Sequence, residues 1–278
     1  YDPPKLVSLR TTPLENSHIW EERRFRGSDS RQVLHWGIRE AEVGPMALPG
    51  KYTIRLIVDG QTFTQPLTII KNPNVHTSDQ DLDAAFKLQL RIRDDITKTS
   101  EATNKLEWMR KQLDVIAHML GGRKTAPPNL ADNREGAQEP KEEKGEANPD
   151  PELLKAAEAM DQKMQEVEYK FISRADALSD DKYYSIPEKI YLHLIWLNGE
   201  VGTGAGDVAG GVDNPPTDTA AAILETIEKD LTEARGSYQN LIDKELPAFN
   251  RALLDKGITA IAFVPPSPNE DEDDDSGE

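Results

Sequence analysis

The sequence predicts an α+β fold in which a small antiparallel Ig-like β module is followed by an antiparallel, four-helix-type bundle. Three observations predict it. Residues alternate in polarity on the strand before an Asp-Gly pair near position 60. Apolar residues recur at three- and four-residue spacing from position 82 onward. Helix-start and helix-stop residues stand where those stripes begin and end. The predicted organisation is a β module over 1–73 and a helical bundle over 74–122 and 151–264. A disordered loop over 123–150 and an acidic disordered tail over 265–278 complete it.

The hairpin signal is the strongest local one. Tyr52, Ile54, Leu56 and Val58 alternate with Thr53, Arg55 and Ile57, a period of two that sets one face of a strand toward a core. Asp59-Gly60 is the preferred pair for a type I′ turn, whose two central residues both need positive φ. The returning arm, 62–70, is rich in β-branched residues and carries Pro66. Proline cannot donate to a ladder, so this arm is expected at an edge or with a bulge. Upstream, Lys5–Arg10, His18–Trp20 and Gln32–Trp36 are shorter candidate strands. Together these suggest the Ig-like sandwich, with Trp20, Trp36 and Tyr52 as core aromatics. Trp20 and Trp36 also admit a carbohydrate-binding reading.

From Ser78 the periodicity changes. Ser78 with Asp81 three residues on is a weaker form of the capping box, and Leu82, Phe86, Leu90, Ile92 and Ile96 follow. Leu106, Met109, Leu113, Ile116 and Leu120 continue the stripe to Gly121-Gly122, which ends a helix of about 40 residues. A second helix is predicted from about Pro151, its buried stripe being Leu154, Ala157, Met160, Met164, Val167, Phe171 and Leu178. Ser185-Ile186-Pro187-Glu188 opens a short helix carrying Ile190, Leu194 and Leu197. After a glycine-rich stretch, 199–211, Thr217 caps a last long helix with Ile223, Ile227, Leu231, Ala234, Tyr238 and Leu241. Pro247 should bend or break it, with Phe249 and Leu253 carrying the stripe on to Gly257. Residues 258–264 are a short apolar exit that could return to the β module as a strand.

Composition bounds the function classes. The chain is 278 residues with 37% apolar and 30% charged residues and a net charge of −17. Residues 267–278 hold seven acids and no base, and 131–150 hold seven acids against three bases, so most of the charge lies where no core can form. The only basic knot is Arg23, Arg24 and Arg26, preceded by Glu21 and Glu22. That self-neutralised face is no phosphate track, and no nucleic-acid partner is expected. No apolar run reaches the roughly 20 residues that a membrane helix needs, and Tyr1-Asp2-Pro3-Pro4 is no signal peptide. Tyr1 in place of Met suggests a piece of a longer polypeptide. With no cysteine there is neither a disulfide framework nor a thiolate metal site.

No catalytic, cofactor-binding or metal-binding residue, and no cofactor, is predicted. His18, His35, His76, His118 and His193 show no zinc spacing. The loop with Gly202, Gly204, Gly206, Gly210 and Gly211 lacks the offsets of a dinucleotide fingerprint and the Lys-Ser or Lys-Thr of a P-loop. It also follows a helix rather than a strand, so it reads as a flexible linker. The adjacent acids Asp94-Asp95 and Asp180-Asp181 point different ways on a helix and are not catalytic pairs. The tail Glu270–Asp275 lacks the glycine turn and ligand spacing of a calcium loop.

The order of parts is familiar. His35-Trp36-Gly37-Ile38-Arg39 precedes the stretch from Pro49-Gly50 through Asp59-Gly60 to Pro66-Leu67-Thr68, and a long helix follows. With Pro215-Pro216-Thr217, Phe249-Asn250 and Gly257-Ile258, this resembles the C-terminal region of bacterial sortilin-like β-propeller proteins. That family carries Asp-box (BNR) repeats and is often labelled as glycosyl hydrolases. The resemblance covers nearly the whole chain except 123–150 and 266–278. Two departures matter: the family's W-D-L-R reads Trp36-Gly37-Ile38-Arg39 here, and no Asp-box occurs. What the resemblance implies is a non-catalytic accessory region that braces or docks an upstream propeller of the same polypeptide, in a periplasmic or extracellular setting. Any hydrolase activity would belong to that propeller. The alternative is a stand-alone protein- or glycan-binding module, and self-association is a further partner option.

Overall fold

The computed structural model of the chain describes residues 1–7, 43–121, 150–173, 189–204 and 210–263. These residues form a mixed, mostly helical structure. Its order is β1 (Gly50–Val58), β2 (Gln61–Ile69), α1 (Asp79–Met119), α2 (Pro151–Phe171), α3 (Ile190–Val201) and α4 (Asp218–Asn240). A π-helical segment (Leu241–Glu245) and α5 (Leu246–Asp255) continue α4 without interruption, so the described helices are four rods. The chain divides into two compact units. One holds residues 1–7, 43–101, 169–173, 189–204 and 210–235; the other holds 102–121, 150–168 and 236–263.

In the first unit, β1 and β2 make a two-stranded antiparallel sheet. Asp59 and Gly60 both have positive φ (46° and 76°), the type I′ geometry whose twist matches that of the strands. Pairing runs unbroken from Val58↔Gln61 to Gly50↔Ile69, so Pro66 sits opposite Thr53 with no bulge. The expected strand Lys5–Arg10 is not formed at its described residues, 5–7. Their backbone amides bond to helices instead: Lys5 N–H to Thr97 Oγ1 at 3.1 Å and Val7 N–H to the Tyr191 hydroxyl at 3.2 Å. The Tyr1 ring lies 4.9 Å from that of Phe86, which is half-buried. The candidate strands His18–Trp20 and Gln32–Trp36 lie outside the described residues.

Helix α1 starts as predicted. The Ser78 hydroxyl oxygen accepts the Asp81 N–H at 3.1 Å and donates to the Asp81 carboxylate at 2.7 Å. Within this unit α1 buries Leu82, Ala85, Leu88, Ile92 and Ile96. Burying each of the Leu and Ile side chains contributes about 1.5–3 kcal/mol relative to leaving it exposed. Helix α3 is largely apolar, with Ile190, Tyr191, Leu192, Leu194, Ile195 and Leu197 buried and only His193 and Glu200 exposed. A helix of that kind is held by its surroundings rather than by an amphipathic stripe. Its expected cap at Ser185 lies outside the described residues, and Lys189 at its N-terminus makes no side-chain cap bond. Thr217 caps α4, its hydroxyl oxygen accepting the Ala220 N–H at 3.0 Å. Arg91 grips Glu228 of α4 with three hydrogen bonds of 2.8–3.1 Å. One correction falls on α4: Ile223 is exposed, and Leu224 takes the buried position ahead of Ile227.

In the second unit, Leu106, Met109, Leu113, Ile116 and Leu120 are all buried, and Gly121 (φ 84°) follows the last turn of α1. Asp150 is the N-cap of α2, its carboxylate accepting the Leu153 N–H at 3.0 Å. The sequence reading left Asp150 in the loop, because Pro149 and the acidic run before it mask the cap. Two stripe positions also shift. Leu153 rather than Leu154 is buried, and Glu168 rather than Val167 fills the position between Met164 and Phe171.

The helix ladder departs from α geometry one turn before Pro247. Over 241–245 it runs as a π-helix, with the Leu246 N–H bonded to the Leu241 carbonyl. The wider i→i+5 turn accommodates a proline that has no N–H to give to the preceding turn. Lys256, Gly257 and Ile258 then close α5 in a Schellman arrangement: Gly257 N–H to Leu254 O and Ile258 N–H to Leu253 O, both 2.9 Å. The exit after Gly257 is not a strand at its described residues, 258–263. Asn250 accepts from the Ile261 N–H at 2.8 Å and donates to the Ile261 carbonyl at 3.1 Å. Gln112 does the same for Ala262 at 2.9 and 2.7 Å. Two side-chain amides thus take the place of a neighbouring strand and satisfy the backbone without a sheet.

Candidate functional site: an uncovered hairpin face

The register places Tyr52 opposite Leu67 and Leu56 opposite Phe63, with Ile54 and Val58 between and beyond them on the same face. Alternation was expected to press this face on a core. Instead Ile54 is 49% exposed, Leu56 57% and Phe63 54%, and Val58 and Leu67 are exposed too. The physical reason is the size of the sheet. Two strands have no second layer of their own, so an apolar face needs cover from elsewhere. Contiguous apolar surface of this kind marks a site of contact with another molecule more often than a scattered surface leucine does. Tyr52 is half-buried, its hydroxyl donating to the Leu48 carbonyl at 2.7 Å; it belongs to the rim of this face rather than to a core. Trp20 and Trp36 lie outside the described residues.

The opposite face of the hairpin is polar and one-signed. Lys51, Thr53, Arg55 and Ile57 stand against Thr68, Pro66, Thr64 and Thr62. It holds two cations and no acid, in a chain of net charge −17.

The glycine-rich loop is a different object from the linker expected. Its base is closed: the Gly202 carbonyl accepts the N–H groups of both Gly211 and Val212 at 3.0 Å. Gly210 has φ 76°, and a Cβ there would come 2.3 Å from the Gly204 nitrogen. The glycines at the base therefore permit close backbone approach. Beside it, Val43, Gly44, Pro45, Gln89, Asn198, Gly202 and Thr203 line a niche with room for about one water molecule. That is far below the size of a ligand pocket.

Polar groups inside the helices are what the sequence reading missed. In the first unit, Asp95, Thr99 and Ser100 of α1 are buried. Asp95 pairs with Lys98 at 2.7 Å through one carboxylate oxygen, while its Oδ2 and the Ser100 hydroxyl are buried with no hydrogen-bond partner among the described residues. Asp94 turns outward to Arg93 at 2.6 Å, so the neighbouring acids diverge as expected.

In the second unit, Arg110 of α1 is 3% exposed at its side chain. It donates to Asp161 at 2.8 Å and to the fully buried Glu168 at 2.7 Å, both on α2. Burial alone pulls the Arg110 pKa down, but the charges of Glu168, Asp161 and the buried Glu107 outweigh it and hold the guanidinium above its ordinary value. This ties two helices. The signal that could have found it is a helical spacing at 106, 110 and 113 that stays regular while residue 110 is charged.

The predicted absence of a catalytic set can be set beside the geometry. His76 and His193 are exposed, and His118 is carried on α1; His18 and His35 lie outside the described residues. The basic knot Arg23, Arg24 and Arg26, the acids Asp180-Asp181 and the tail Glu270–Asp275 also lie outside them. Among the described residues, no three His, Asp or Glu side chains come together as metal ligands. No described helix is long and apolar enough to cross a membrane. Protein-family models, curated proteins and solved structures were all compared with the chain, and none matches it.

Proposed function

We propose that this chain is a non-catalytic interaction module that docks onto or braces a neighbouring β-domain through its hairpin. The observation that carries the reading is the exposed face of Ile54, Leu56, Val58, Phe63 and Leu67, presented by a turn and register that hold it in one orientation. The resemblance to the C-terminal region of sortilin-like, Asp-box proteins names the partner as a β-propeller in the same polypeptide, in a periplasmic or extracellular setting. The finer architecture proposed with it is an Ig-like β module to which the hairpin contributes two strands, and a four-helix bundle that carries it. Support for the bundle comes from the caps at Ser78, Asp150 and Thr217 and the buried stripes they introduce.

Titration calorimetry of the chain against an isolated Asp-box propeller tests the reading. Binding that weakens at least tenfold in Leu56→Lys supports it. Binding indifferent to Leu56→Lys would overturn it. So would glycosidase or peptidase turnover by the repurified chain that is lost on replacing a single carboxylate.

A further inference from the structure

Among the described residues no third strand pairs with the hairpin, and its two edges are not equivalent. Val58 and Gln61 flank a two-residue turn, so they form the hydrogen-bonded pair that closes it. Hydrogen-bonded and non-hydrogen-bonded pairs alternate along an antiparallel ladder. The pairs 56/63, 54/65, 52/67 and 50/69 therefore bond to each other. Residues 57/62, 55/64, 53/66 and 51/68 turn their amides and carbonyls outward. Pro66 is one of the outward positions on β2. It removes no bond from the hairpin, and it takes the donor out of the middle of the β2 edge. On β1 the outward donors of Lys51, Thr53, Arg55 and Ile57 are all present. Natural sheets close their edges with proline to stop further pairing; here the β2 edge carries such a proline, and among the described residues no strand pairs with the β1 edge.

From this register we infer that the β1 edge is a strand-addition site for a partner β-domain, whose incoming strand alternates apolar residues with Asp or Glu. The apolar residues would extend the face of Tyr52, Ile54 and Leu56. The acids would stand beside Lys51 and Arg55, the hairpin's only cations and lying on one face without an acid among them. A second copy of this chain fits less well, because pairing β1 with itself sets Lys51 and Arg55 against the same cations. The inference rests on the reading of the chain as an interaction module and names its mode of contact.

The test uses the whole chain with a seven-residue peptide of alternating valine and glutamate, and a valine–lysine peptide as its counterpart, followed by amide NMR. The expected result is saturable perturbation of the amides of Lys51, Thr53, Arg55 and Ile57 by the glutamate peptide, with the lysine peptide at least tenfold weaker. Thr53→Pro, which removes one outward donor on β1, should weaken binding at least tenfold. Thr64→Pro on the closed edge should change it less than twofold. Should Thr53→Pro unfold the hairpin, Arg55→Glu serves instead and should weaken the preference for the glutamate peptide at least tenfold.

Equal losses in the two proline variants, or no binding at millimolar peptide, would overturn the inference. So would those four amides being protected from exchange before peptide is added, since the chain's own residues would then hold the edge. A dimer abolished by Thr53→Pro would overturn it in favour of a second copy. If the propeller binding described above survives Thr53→Pro but not Leu56→Lys, the module reading stands and the edge inference fails.

Discussion

The hairpin and the Arg110 ion-pair cluster are opposites in how they treat solvent. The hairpin holds large apolar side chains in water on a sheet of two strands. The Arg110 cluster takes Arg110 and Glu168 out of water and pairs them at 2.7 Å, with the part-exposed Asp161 at 2.8 Å. Each arrangement is costly in isolation, and the difference lies in where the compensation comes from. The buried charges compensate one another within the chain, so they act on stability. The apolar face of the hairpin has no compensation on its own sheet, so its stabilisation is available to whatever covers it. Regions of the first kind hold a fold, and the function proposed for this chain assigns recognition to the second.

The sharpest way to break that contrast is to mutate both sides. Arg110→Ala leaves Glu168 buried without its cation, and unfolding in urea should show a loss of about 3–5 kcal/mol. A loss under 1 kcal/mol would mean that the cluster is solvated and the contrast false. Asn250→Ala strips both backbone groups of the buried Ile261 of their partner and should cost about 1–3 kcal/mol, read the same way. Phe63→Lys, on the exposed face, should shift stability by no more than about 0.5 kcal/mol. A large loss there would show that the hairpin face is core after all.

A smaller effect sharpens the helical side through pH. The Asp150 carboxyl is held below its ordinary pKa by its hydrogen bond to Lys256 and then by the Leu153 N–H. A lowered folded pKa stabilises above the unfolded value, about 3.9, and that contribution disappears as pH falls through the folded value. Lys256, raised by the same bond, contributes below about 10.4 and loses the contribution as pH rises through its folded value. Asp150→Asn should therefore flatten part of the acid limb of a urea-midpoint-against-pH curve and also remove the alkaline loss tied to Lys256. An acid limb unchanged in Asp150→Asn would contradict the assignment.

Much of this was legible in the sequence wherever a local rule decides the outcome. Asp59-Gly60 can adopt positive φ, so the turn and its register followed. Ser78, Thr217 and Gly257 are terminators whose chemistry acts within four residues. The long stripe Leu106–Leu120 repeats often enough that one face must be buried. Legibility ended where tertiary context chooses between neighbours. Val167 is the better apolar residue, but Glu168 is buried because Arg110 meets it. Residues 258–264 look like a strand by composition, but Asn250 and Gln112 supply Ile261 and Ala262 with the partners a strand would have needed. The exposure of the hairpin was illegible for a related reason. Alternation says that one face is apolar, and cannot say what covers it.

Hydrogen exchange of the whole chain, alone and with an Asp-box propeller, tests docking through the hairpin most directly. The account predicts that amides of 51–68 slow on adding the propeller while those of α1, α2 and α5 keep their rates. Slowing confined to the helices, with the hairpin exchanging as before, would contradict it.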